Sequence, residues 1–190
     1  ADIRATDVEL REGRAHFDLV TPTGRTSVGL RLIGAHQTAN ALAAAAVSYE
    51  LGIDTDAIGS ALSMAETSSK WRMELHDEGG LLILNDAYNA NPDSMRAALK
   101  TLAYLAQERG GVAWAFLGKM HELGESEMEE HLAIGRLASE LGIDQLVSVG
   151  TDLYLRDLNL ELGKESGDMT THYFLTQEDA LKLSRHFSHG

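Results

Sequence analysis

The sequence predicts an α/β protein in two parts: antiparallel strands and then helices over residues 1 to 70, and a doubly wound, mostly parallel sheet over residues 71 to 190. Two observations carry this. Residues 6 to 33 alternate apolar and polar side chains around the turn signals Glu12-Gly13 and Pro22-Thr23-Gly24, the period of half-buried strands. Past residue 71, short apolar runs alternate with amphipathic stretches of helical period, the pattern of strands joined by crossover helices.

The elements follow in order. Three antiparallel strands fill 6 to 33. From 36 to 51 the apolar positions Ala39, Leu42, Ala43, Ala46, Val47 and Leu51 take helical spacing, and Gly52 ends the run. A second helix opens at Thr55, read as its cap, and carries Ile58 and Leu62 to about Met64. The small, polar stretch "AETSSKW" (65 to 71) is read as a hinge or domain boundary. Strands are then expected at "WRMELHD", "LLILND", "VAWAFLG", "QLVSVG" and "THYFL". Helices are expected from Pro92 to about Arg109, about Ser126 to Leu141, near 152 to 162, and from Glu178. Trp71 and Trp114 read as core; His131 and Met128-Glu129-Glu130 read as the exposed face of a helix.

Composition removes several functions. A chain of 190 residues, 44% hydrophobic, can bury a sizeable core. Its 29 acidic against 16 basic residues give a net charge of -13, which repels nucleic acid and anionic membranes. With no cysteine there is no disulfide, thiolate nucleophile or zinc-thiolate site. No apolar run approaches the roughly 20 residues of a membrane helix, and "ADIRATDVEL" is not built as a signal peptide. The abrupt start and the abrupt end at "SRHFSHG" read as a piece of a longer chain.

The densest chemistry lies in "GLLILNDAYNANPDSM" (80 to 95), where four aliphatics run into a knot of Asn, Asp and Tyr. In an open parallel sheet, ligands sit beyond the carboxyl ends of the strands, where loops and helix N-termini converge. Asn91 followed by Pro92 is a helix start, an amide cap with proline at the first helical position. Capping leaves Asp86, Tyr88 and Asn89 without a structural reason to cluster there.

"NDAYNANPDSM", together with "GAHQTANALAAAA" (34 to 46), "WRME" (71 to 74) and "FLGKMHELG" (116 to 124), strongly resembles the Mur ligases. The four motifs stand in order over about half the chain, and "DAYNANP" is the string of the branch that adds D-alanyl-D-alanine to a UDP-N-acetylmuramoyl-tripeptide. The resemblance implies that residues 1 to 70 end a P-loop-type central ATPase domain and that 71 to 190 are most of a Rossmann-like C-terminal domain. It implies amide formation with ATP and Mg2+: the acceptor carboxylate becomes an acyl phosphate, the amine attacks, and phosphate leaves.

Residue by residue, Arg72 matches the arginine that reaches the ATP phosphates, where positive charge stabilises phosphoryl transfer. Asp86 matches the acid near the ribose, which also orients that arginine; both are the expected catalytic residues. Tyr88 is expected beside the nucleotide, and Asn89 and Asn91 in the D-alanyl-D-alanine pocket, where amides satisfy a zwitterionic dipeptide without adding charge. "GAHQTAN" resembles G-x-H-N-x-x-N, whose asparagines bond adenine: Asn40 and His36 match, and Gln37 replaces the first asparagine. The loop "LGKMHELG" is expected to border the cleft, with Lys119 and Glu122 solvated.

No G-x-x-x-x-G-K-[ST] is present and no metal ligand can be placed, so these residues alone are not expected to hydrolyse ATP. A cytoplasmic monomer is expected. Two alternatives stand: a related ligase adding another amino acid, and a non-catalytic nucleotide module. The latter calls for a G-x-G-x-x-G turn, which the sequence lacks.

Overall fold

The computed structural model describes residues 2 to 66, 69 to 156 and 169 to 183. The chain separates into two units, one of residues 1 to 76 with 84 to 86, the other of 77 to 83 with 87 to 190.

In the first unit, β1 (Arg4–Arg11), β2 (Arg14–Thr21) and β3 (Gly24–Ile33) form an antiparallel sheet in that order. The two-residue period is cleanest in β2, where Ala15, Phe17 and Leu19 are buried and the residues between them are partly exposed. On the outer face Asp18 accepts bonds from Arg25 (2.6 and 2.9 Å) and from Ser27 (2.6 Å) across the β2–β3 register. Helices α1 (Gln37–Glu50) and α2 (Thr55–Met64) supply Ala41, Ala45 and Ile58 to the core under the sheet.

Two expectations change here. Asp54, not Thr55, caps α2, its carboxylate accepting from Asp56 N (2.8 Å) and Ala57 N (3.0 Å). Thr55 is instead the first helical residue, and its hydroxyl meets that of Thr21 at 2.6 Å in a buried contact. The buried stripe of α1 is Ala41 and Ala45, while Val47 and Leu51, read as part of that stripe, are exposed. A helix apolar nearly all round offers no sequence contrast by which to choose its inner face.

After the first unit's helices, β4 (Glu74–Glu78) and β5 (Leu81–Asn85) pair with each other as a hairpin. Gly79 and Gly80 turn it at φ +63° and +97°, the mirror-image geometry that suits strand twist and favours glycine at both positions. The expectation of a buried strand at "LLILND" is overturned: β5 pairs with β4, and Leu81 and Ile83 are exposed. Residues 71 to 73, read as strand, form a turn with Trp71 and Met73 at positive φ. Trp71, read as core, is exposed.

In the second unit β6 (Trp114–Gly118), β7 (Gln145–Val149) and β8 (Thr170–Phe174) run parallel in that order, in register from Trp114↔Gln145 and Gln145↔Thr170. Helix α3 (Pro92–Arg109) precedes β6, α4 (Glu127–Glu140) crosses from β6 to β7, and α5 (Gln177–Ala180) follows β8. The α/β class is therefore as expected. The helix expected near 152 to 162 begins as a 3-10 turn at Leu153–Leu155; residues 157 to 162 lie outside the described residues. Trp114 is half-buried rather than core, stacked against Phe116 and His172 at 6.3 and 6.0 Å between centroids.

The core joins Leu99 of α3, Ala115 and Leu117 of β6, Ile134 and Ala138 of α4, Leu146 of β7 and Tyr154. Gly135 sets the approach of α4 to the 153–155 turn, because a Cβ there would lie 1.9 Å from the Tyr154 carbonyl oxygen. Alanine gains about 1 kcal/mol in helix propensity, yet overpacking against backbone costs up to about 3 kcal/mol. Gly135→Ala is expected to destabilise by about 2 kcal/mol, read as a lower midpoint in a denaturant titration. Gly111→Ala is the control, since a Cβ at Gly111 meets nothing within 4 Å.

Candidate active site

The chain leaves β3 through Gly34 and enters α1 at His36. Gly34 has φ +105°, a conformation that favours glycine, and a Cβ on it would sit 2.5 Å from the exposed His36 ring, which would have to turn away. His36 occupies the N-cap position but makes no capping bond. Its ring instead joins a run of side chains: Asn40 Nδ2 donates to Gln37 Oε1 (3.0 Å), and Gln37 Nε2 lies 3.1 Å from His36 Nε2. Spaced 3 and 4 residues along the first turn, these groups share one side of the helix.

Arg72 stands in the turn between Trp71 (φ +61°) and Met73 (φ +49°). For side chains other than glycine the left-handed region costs roughly 1–2 kcal/mol per residue, so something must hold this turn. Asp86, directly after β5, does so: its Oδ1 accepts the Met73 N–H at 3.0 Å. Burial pushes the Asp86 carboxyl above the ordinary carboxylate value, opposed by the Met73 amide and by the nearby His36 and Arg72 charges. Burial likewise pushes His36 down, with Asp86 opposing. The first unit thus gathers His36, Arg72 and Asp86 into one electrostatic group, with Gln37 and Asn40 bonded to His36.

Tyr88, Asn89 and Asn91 belong to the second unit. Tyr88 is 56% exposed. Asn91 forms a capping box with Ser94: its Oδ1 accepts Ser94 N (2.9 Å) while its own N–H donates to Ser94 Oγ (3.1 Å). Asn89 Oδ1 accepts the Ala90 N–H at 2.9 Å. Each amide oxygen accepts one backbone N–H, and each side chain also carries two Nδ2 donors.

The loop after β6 ties into α4. Lys119 and Glu122 are both exposed, as expected, Lys119 pairing with Glu127 at 2.5 Å and Glu122 standing at φ +62°. His131, expected on the exposed face, is fully buried: its Nε2 accepts Met120 N–H at 3.0 Å and its Nδ1 lies 2.6 Å from the Glu127 carbonyl. The spacing of His131, Ile134, Gly135 and Ala138 marks this stripe as the buried face of α4. Among the described residues, no group of three or more His, Asp or Glu side chains could hold a metal ion, and no helix is long and apolar enough to cross a membrane.

Residues 71–189 match the family model described as Mur ligase, glutamate ligase domain. The chain belongs to the Mur ligase family. This Mur ligase chain is 44% identical over 154 residues to the UDP-N-acetylmuramoyl-tripeptide–D-alanyl-D-alanine ligase of Mycobacterium tuberculosis, covering 79% of the chain and 30% of that protein. It is 35% identical over 170 residues to the Escherichia coli protein of the same name, covering 90% of the chain and 37% of that protein. A crystal structure of MurF from Acinetobacter baumannii matches with a TM-score of 0.79 and 33% identity, over 98% of this chain and 39% of the other. The Mur ligase chain spans about a third of the length of the curated relatives it matches.

Proposed function

We propose that this chain carries the nucleotide-closing and amine-binding part of an ATP-dependent ligase that joins D-alanyl-D-alanine to a UDP-N-acetylmuramoyl-tripeptide, a step in building peptidoglycan precursors. The observation that carries the amine assignment is the pair Asn89 and Asn91, whose oxygens are engaged and whose Nδ2 groups remain as donors. Such a pair suits a ligand rich in acceptors, as the carboxylate and carbonyl groups of a dipeptide are. The names borne by the M. tuberculosis and E. coli relatives support the same reading.

In this proposal residues 1 to 70 end the central ATPase domain and 71 to 190 make up the C-terminal ligase domain. Asn40 and His36 meet the adenine; an amide offers both the donor and the acceptor that an adenine edge needs, and Gln37 orients Asn40. Arg72 supplies positive charge to the transferring phosphoryl group. Asp86 holds the turn carrying Arg72 and accepts a ribose hydroxyl, with Tyr88 against the nucleotide. The acceptor carboxylate takes the phosphoryl group, the dipeptide amine attacks the acyl carbon, and phosphate leaves with its bonding pair. ATP chemistry of this kind runs with Mg2+, but the described residues do not fit a metal site, and no step assigned to them runs through the metal. With ATP and a UDP-linked acceptor as substrates, the proposed setting is the cytoplasm, with a monomer as the working unit. The 190 residues by themselves are proposed to be inactive.

The test uses the full-length protein containing these residues, with UDP-N-acetylmuramoyl-tripeptide, ATP, Mg2+ and a panel of amines, the product mass being read by mass spectrometry. A gain of one D-alanyl-D-alanine is expected. Product formed only with a single amino acid such as D-glutamate would keep the ligase chemistry and overturn the roles of Asn89 and Asn91.

A further inference from the structure

We propose that His131 is a positioning residue for the amine substrate: it fixes the loop from Gly118 to Leu123 that forms one wall of the amine pocket. The inference rests on the amine-pocket reading of Asn89 and Asn91. It deepens that reading by adding His131, which lies outside the quoted motifs, as the support of the loop expected to border the cleft.

Three anchors hold consecutive residues of this loop from within. The Tyr154 hydroxyl donates to the Gly118 carbonyl at 2.6 Å, Glu127 pairs with the Lys119 ammonium at 2.5 Å, and His131 Nε2 accepts the Met120 N–H at 3.0 Å. The two bonds fix the tautomer of His131. Its Nδ1 lies 2.6 Å from the Glu127 carbonyl, which accepts, so Nδ1 carries the proton and Nε2 keeps the lone pair that Met120 needs. The ring also packs against Tyr154, at 4.7 Å between centroids, which joins two of the three anchors.

Filling space does not call for such an arrangement, since a leucine would fit a buried apolar stripe. The imidazole satisfies the amide of Met120, a residue that is itself fully buried. The loop leaves the carboxyl end of a parallel strand, the end at which α/β sheets bind ligands. Ala90, between the two asparagines, and Leu123, at the end of the loop, both pack on the cluster that contains Met120. Arg96 of α3 further ties to Glu130 of α4 at 2.6 Å. A shift of Met120 is therefore transmitted to the segment bearing Asn89 and Asn91, while the exposed His121 and Glu122 ride on the same loop.

The test compares His131→Asn with His131→Gln in the full-length enzyme. Glutamine places an amide oxygen near the position of Nε2 and can accept from Met120; asparagine is too short to do so. His131→Asn is expected to raise KM for the amine about tenfold, with kcat and KM for ATP changed less than about twofold, and His131→Gln to restore KM to within about threefold. The amine panel is run first on the wild-type enzyme, so a failure of the amine-pocket reading shows there, apart from any effect of the two variants. Met120 amide hydrogen exchange, read by NMR, should be faster in His131→Asn than in His131→Gln. The proposal is overturned if exchange accelerates while the amine KM does not move, if the two variants have the same KM, or if KM for ATP rises in the same proportion.

Discussion

Asp86→Asn in the full-length enzyme is expected to lower kcat/KM by about 10²–10³-fold, equivalent to about 3–4 kcal/mol of transition-state stabilisation, while the melting temperature holds or rises. The substitution keeps an oxygen able to accept the Met73 N–H, so the turn bearing Arg72 retains its anchor. What it removes is the charge. Burial holds the Asp86 carboxyl above its ordinary value against the pull of Met73, His36 and Arg72, so ionising it in the folded state is unfavourable relative to the unfolded chain. The sign follows from linkage: a carboxyl raised by folding contributes its stability below the unfolded value of 3.8 and loses it as pH rises through the higher folded value. The melting temperature of Asp86→Asn relative to wild type should therefore climb with pH across that window and then level off. A charge kept where it costs stability is expected where chemistry needs it. A variant retaining activity within threefold would reduce Asp86 to the anchor of a turn and sink its role at the nucleotide.

The outline of the fold was legible because period and turn chemistry are local. In β1 to β3 the alternation, and in α3 the Asn91-Pro92 start and the Gly110 end at φ +65°, are written in adjacent residues. What was not legible depends on partners distant in sequence. For "LLILN" the local sign of pairing with β4 is the Gly79-Gly80 step alone, since the short apolar run itself fits a hairpin and a parallel sheet equally well. The polar character of His131 suggested solvent, and only the amide of Met120, eleven residues away, explains its burial. Of the site, the residue types were visible in the motifs. The strained backbone at Trp71 and Met73, the clearance at Gly34 and the occupied oxygens of Asn89 and Asn91 were not, since they are relations between atoms and not identities.

Those occupied oxygens allow capping and binding at Asn91 to be separated. Asn91→Asp is expected to keep the fold intact or slightly more stable, since aspartate caps as well as asparagine and places negative charge at the positive end of α3. Its carboxylate still accepts Ser94 N–H, but the Nδ2 donors are gone and a charge stands where the dipeptide carboxylate should lie. KM for D-alanyl-D-alanine should then rise about 10²-fold, or about 2.7 kcal/mol, through loss of a charge-assisted bond and like-charge repulsion. KM for ATP should stay near its wild-type value. Asn91→Ala, by contrast, should cost about 1 kcal/mol of stability through loss of the cap and raise the dipeptide KM less than aspartate does, because it removes the donor without adding repulsion. The order aspartate, alanine, asparagine in KM, against alanine alone in stability, is the signature of a cap that also binds. If instead KM follows stability, with alanine the worst in both, Asn91 serves the helix only and the amine must be held by other groups.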